Sequence, residues 1–194
     1  MKISIFERII CMLFLSLLSG TAAIAQTPYH KDELGYGKWS KSWYADEFGD
    51  PMYDKPYIQT ELKRKWDNYT WDFFYIRFAV MPENMPVFEI ILSQNGVNGN
   101  TKMNLYDGKA TIKIKSANGA VSSITAPVSG GNIYIVKEDV MKFAKLIDAG
   151  NYKLSVSAHC YLDDYGNATT WNYSCTNETI DFFKAVRTGL KYTF

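Results

Sequence analysis

Histidine is nearly absent from this chain: 194 residues hold two, His30 and His159. A Ser-His-Asp or Cys-His mechanism needs a positioned imidazole. His30 lies in an N-terminal stretch of the kind that frays, and His159 falls on the face of its strand opposite the apolar residues. Zinc asks for three or four Cys, His or carboxylate ligands, so the same scarcity speaks against a metal. There is no P-loop and no G-x-G-x-x-G, which removes the usual phosphate cradles. No cofactor is expected. Also missing is any apolar run of the roughly 20 residues that a bilayer-spanning helix requires. Cysteine is sparse, with three residues.

The longest apolar run, "IICMLFLSLL" from Ile9 to Leu18, follows Lys2 and Arg8 and precedes "SGTAAIAQ". A basic start, a short apolar segment and small residues at Ala23 and Ala25 form the pattern of a secretory signal. Residues 1–25 are therefore expected to be a cleaved signal peptide, and 26–194 a single β-rich domain with no membrane span. The expected location is periplasmic or secreted. Losing Lys2, Glu7 and Arg8 takes the 21 basic and 20 acidic residues to 19 of each. A neutral chain has no overall field drawing it to nucleic acid or anionic lipid.

What is present reads as short strands between turn signals, the pattern of a β-sandwich or barrel. In "YIQTELKRKW", Ile58, Leu62 and Trp66 alternate with charged residues, as in a half-buried antiparallel strand. "TWDFFYIRFAVM", residues 70–81, is apolar at both parities and predicts a central strand. "VFEIILS" follows, and "QNGVNGN" reads as a loop. "ANGA", residues 117–120, is a hairpin turn with Asn-Gly at its centre, and "SGGN" is another turn. Helical spacing then appears at Val140, Phe143, Ala144 and Ile147, with Gly150 placed to close the helix. The expected fold is mainly β, an antiparallel β-sandwich or partly open barrel with two short helices at about 138–149 and 179–190.

Three features carry candidate chemistry. The first is the acidic cluster Asp46, Glu47 and Asp50 in "WYADEFGDP". Its spacing is a poor match to a calcium loop. Glycoside hydrolysis needs a facing pair of carboxyl groups, for which Asp46 or Glu47 is a candidate without an evident partner. The simpler reading is a turn in which the carboxylates cap backbone N–H groups, Gly49 supplies a positive φ, and Phe48 plugs the core. The second feature is the pair Cys160 and Cys175. Export favours a disulfide, and "DDYGNA" lies about midway between them, so a hairpin would bring them level. The third is the aromatic content, 14 Tyr, 11 Phe and 5 Trp. Tyr161, Tyr165, Trp171 and Tyr173, on that same hairpin, are the candidate ligand-binding platform.

The stretch "WSKSWYADEFGDPMYDKPYI" resembles a family of small exported proteins of Gram-negative bacteria, marked by a Trp (Trp39), a "DEFGD" motif (46–50) and a Tyr-Ile strand start (Tyr57 and Ile58). "YKLSV" and the terminal "FFKAV" suit the same layout. There is a more distant likeness to periplasmic proteins that accompany type VI secretion. The resemblance implies a role at the cell envelope and implies no activity. The resulting expectation is an exported non-catalytic β-domain, acting in binding or assembly on a glycan or an envelope protein. A carbohydrate-binding module and a glycan-cleaving enzyme using Asp46 or Glu47 stand as alternatives.

Overall fold

The computed structural model describes residues 32–33, 39–65, 71–96, 99–160, 168–175 and 181–194. The expected signal peptide lies outside the described residues. The strands are β1 (Asp32–Glu33), β2 (Ser40–Ala45), β3 (Pro51–Lys65), β4 (Trp71–Met81), β5 (Met85–Gly96), β6 (Gly99–Lys102), β7 (Gly108–Lys115), β8 (Val121–Ser129), β9 (Asn132–Ile135), β10 (Tyr152–His159) and β11 (Ala168–Cys175). They form one antiparallel sheet that does not close, in the order β1-β2-β3-β4-β5-β9-β8-β7-β10-β11, with β6 paired to β5. Two helices complete the fold, α1 (Glu138–Asp148) and α2 (Phe182–Leu190).

The alternation of side chains along each strand gives the sheet two unlike faces. The inner face is mostly apolar, with Thr60 a buried polar exception: Ile58 and Leu62 on β3, Phe74, Ile76 and Phe78 on β4, Phe88, Ile90 and Leu92 on β5, and Leu154 and Val156 on β10 all belong to one buried cluster. The sheet turns on itself to bury that face. β11 packs across onto β3, and Phe74 of β4 meets Tyr173 of β11 with ring centroids 4.8 Å apart.

The helices seal what the sheet leaves open. In α1, Val140, Phe143, Ala144 and Ile147 are buried, as their spacing predicts, and Gly150 follows with φ 63°. Phe182 opens α2 and is fully buried. Its ring lies 5.2 Å from Trp39, 5.2 Å from Phe78, 5.1 Å from Phe88 and 5.9 Å from Phe194. The two helices are tied by Asp148 of α1, whose Oδ1 accepts from the backbone N–H of Phe183 at 3.1 Å. That bond satisfies one of the free donors at the start of α2 with a negative charge, the sign the helix terminus favours.

The turns follow their sequence signals. Gly119 has φ 87°, and Asn118 Oδ1 accepts from Ser116 Oγ and from the backbone N–H of Ala120. Gly130 and Gly131 are both left-handed. "QNGVNGN" differs from expectation: β5 continues to Gly96 and β6 begins at Gly99, with Gly96 opposite Gly99.

The Cys160–Cys175 disulfide is corrected. The β10–β11 register sets Tyr152 opposite Cys175 and His159 opposite Ala168. Cys160 lies beyond the far end of β10, bridged to Leu105, buried and free. Eight positions of strand, about 26 Å at 3.3 Å per residue, separate the level of one cysteine from the other. The observed register keeps the whole of β10 paired and sets Leu154 beside Tyr173 and Val156 beside Trp171.

The aromatic junction at Phe182 makes a direct prediction. Phe182→Ala should lower unfolding stability by about 3–5 kcal/mol, the range for buried phenylalanines, measured by urea denaturation. A loss below about 1 kcal/mol would contradict the junction.

Candidate functional site

The acidic cluster forms the tip of the β2–β3 hairpin. Asp46 Oδ1 accepts from the backbone N–H of Phe48 and of Asp50, both at 2.9 Å. The backbone N–H of Asp46 donates to Asp50 O at 2.9 Å, that of Gly49 to Asp46 O at 3.1 Å, and Gly49 has φ 90°. Asp46 is thus the capping residue of an Asx-type turn, and Glu47 and Asp50 are exposed. The expectation that Phe48 plugs the core is wrong: Phe48 is 83% exposed at the tip. The turn aims residue 48 outward because both faces of the two-stranded hairpin end before it. Tyr53, 65% exposed, lies on the returning strand. Its ring meets Trp43 edge-on with centroids 5.5 Å apart, and Lys41 Nζ sits 5.2 Å from the Trp43 centroid.

Two of the four residues expected to form an aromatic platform are buried. Trp171 is 4% and Tyr173 2% exposed, since both point inward to fill the space between the sheet halves. Tyr161 and Tyr165 lie outside the described residues. His159 is exposed on the outer face.

The structure assembles a different set of polar side chains, on the outer face of β2, β3, β4, β5 and β9. One rung of the sheet runs Ser40, Gln59, Arg77, Glu89, Tyr134, each directly opposite the next. Arg77 Nε donates to Gln59 Oε1 at 2.7 Å, and its Nη1 lies 3.5 Å from Glu89 Oε2. Glu89 also accepts from Tyr44 OH and Tyr134 OH, each at 3.4 Å, and from Asn132 Nδ2. The Arg77 guanidinium lies over the Tyr57 ring, 4.7 Å from its centroid, and Tyr57 packs on Tyr44. The Arg77 and Glu89 side chains are only 13% and 9% exposed.

Burial disfavours charge on Arg77, but the Glu89 carboxylate and the Tyr57 and Tyr44 phenols together outweigh that and hold the guanidinium above its ordinary value. Burial, then the Glu89 charge, push the Tyr44 phenol well above the usual range, and the same two causes raise Tyr134. Both phenols therefore stay protonated and serve as donors. Burial lowers the Lys102 ammonium although Glu89 pulls the other way, and Lys102 Nζ donates to Gly130 O at 2.8 Å. Glu89 is a carboxylate shared among several donors, which is the arrangement of a structural tie rather than of a general base. Asn132 must present its amide N–H group to that carboxylate, which leaves its buried Oδ1 without a hydrogen-bond partner among the described residues. Among the described residues no group of three or more His, Cys, Asp or Glu could hold a metal ion, and no helix is long and apolar enough to cross a membrane.

This rung went unread in the sequence. Its signal was a single charge inside each of two apolar runs, Arg77 in "FFYIRFAVM" and Glu89 in "MPVFEIILSQNG". Opposite charges isolated in consecutive buried strands ask to be paired. No protein-family model, curated protein or solved structure matches the chain.

The tip geometry separates two roles within one motif. Asp46→Ala should cost about 1 kcal/mol through the lost backbone bonds, whereas Phe48→Ala should leave stability within about 0.5 kcal/mol of the parent. Thermal or urea unfolding of the two variants checks this; a large loss in Phe48→Ala would return the side chain to the core.

Proposed function

We propose that the chain is an exported, non-catalytic β-domain that acts by binding at the cell envelope, with the β2–β3 hairpin tip as its contact to a protein partner. The observation that carries this reading is the exposure of Phe48 on a turn held rigid by Asp46. A large apolar side chain fixed in water is the form of an interface anchor, and aromatic anchors contribute most when they enter a pocket with little ordering left to do. Tyr53 and Trp43 extend the apolar surface down the hairpin. Glu47, Asp50 and Asp54 surround it with exposed negative charge, which suits a partner pocket rimmed by basic residues and would speed its encounter.

Two further considerations support the reading. Of the acids suggested for glycan cleavage, Asp46 is engaged with backbone N–H groups and Glu47 stands at a convex tip. The export signal and the resemblance of the "DEFGD" motif to small exported proteins point to the envelope as the place of action.

A photo-crosslinking phenylalanine analogue at position 48 tests the proposal in the native host. It should give a discrete protein adduct that is lost when Tyr53→Ser is added and that is not formed from the exposed position 106. No discrete adduct from position 48, or a hydrolytic activity abolished by Glu47→Gln at unchanged melting temperature, would overturn it.

A further inference from the structure

The other half of the sheet carries a second surface of different chemistry. Strands β7, β8, β9, β10 and β11, "GKATIKIK", "VSSITAPVS", "NIYI", "YKLSVSAH" and "ATTWNYSC", contain no aspartate or glutamate. Their outer face carries Lys109, Lys113 and Lys115 on β7 and Lys153 on β10, all exposed. Lys115 and Lys153 are directly opposite one another across the β7–β10 pairing, and Lys113 is opposite Ser155 and Ser123. Like charges directly opposite in a sheet are destabilising. Among the described residues of these five strands no carboxylate relieves the repulsion, whereas Asp46, Glu47, Asp50 and Asp54 gather at the hairpin tip.

We infer that this face binds a linear anionic polysaccharide lying along β7. The lysines of β7 stand at positions 109, 113 and 115, with Thr111 between the first two, and span about 20 Å along the strand, a row of positive charge suited to an extended polymer that carries several acid groups. Between them stand the hydroxyls of Thr111, Ser123 and Ser155, which hydrogen-bond equally to sugar hydroxyls and carboxylates. Among the described residues the outer face of β7, β8, β10 and β11 carries no Phe, Tyr or Trp, so the lysines have no stacking platform of the kind used for single-stranded nucleic acid beside them. The exposed large apolar side chain on this face among the described residues, Val121 opposite Lys115, is a single residue and not the apolar face with which interfacial proteins enter a membrane. The surface is distinct from the hairpin tip and does not depend on the protein contact proposed for it.

Affinity measurements on the full exported chain test the inference, with polygalacturonate as probe and neutral dextran, duplex DNA and anionic phosphatidylglycerol vesicles as comparisons. Polygalacturonate should bind and dextran should not, and the affinity should fall steeply with salt, as counterion release requires. Lys113→Gln/Lys115→Gln should weaken binding by about tenfold or more, Lys153→Gln should weaken it from the neighbouring strand, and Lys55→Gln at the hairpin should leave it unchanged. Because Lys115 faces Lys153, the Lys115 change should keep or raise the melting temperature, which separates lost binding from lost fold. Equal loss in the Lys55 variant, binding to dextran as tight as to the polyuronate, tighter binding to DNA or vesicles, or unchanged affinity in the lysine variants would each overturn the inference.

Discussion

The outer face of the first half of the sheet is organised by one buried ion pair, Arg77 with Glu89. A carboxylate and a guanidinium removed from water are costly unless their remaining donors and acceptors are satisfied. That demand fixes the character of the neighbours: Gln59 on one side of Arg77, and Tyr44, Asn132 and Tyr134 around Glu89. Because these residues belong to β2, β3, β4, β5 and β9, satisfying the pair aligns five strands at one level. A slip of one residue in β4 or β5 would send a charge into the apolar inner face, so the pair penalises wrong registers more strongly than apolar alternation alone.

With the pair taken up as a tie and the inner face filled by packing, few groups remain for chemistry. Glu89 is surrounded by donors, Asp46 is bound to backbone, and the inner face is a continuous apolar cluster. Among the described residues two exposed surfaces stand out, and they differ in kind. The hairpin tip offers aromatic anchors within negative charge. The β7–β10 face offers lysines without carboxylates. Both are placed by rigid elements, the tip by its Asp46 cap and the lysines by strands paired on both sides, so neither has to order itself on binding.

The parts of this fold that rest on local chemistry were legible in the sequence. Helix α1 announced itself through Val140, Phe143, Ala144 and Ile147, the β7–β8 turn through Asn118 and Gly119, and the central position of β4 through its apolar residues at both parities. The parts that failed depend on how distant segments meet. Placing Cys160 opposite Cys175 rather than in the observed register is a shift of an even number of residues, which leaves every side chain of β11 on the same face. Alternation could not separate the two. Trp171 and Tyr173 are buried because β11 folds over β3, a contact between segments more than a hundred positions apart. Phe48 was misread for the opposite reason: hydrophobicity suggested burial at a position where the turn leaves nothing to bury it. The Arg77–Glu89 rung had a local signal, and the pairing of β4 with β5 converts it into a site.

A double-mutant cycle on Arg77→Ala and Glu89→Ala, followed by urea unfolding, tests the role of the pair most directly. Each single change should cost about 3–5 kcal/mol, because it strands the other charge, and the double variant should cost less than the sum by more than about 1 kcal/mol. Additive losses, or a Glu89→Ala variant as stable as the parent, would contradict the account and free Glu89 for another function.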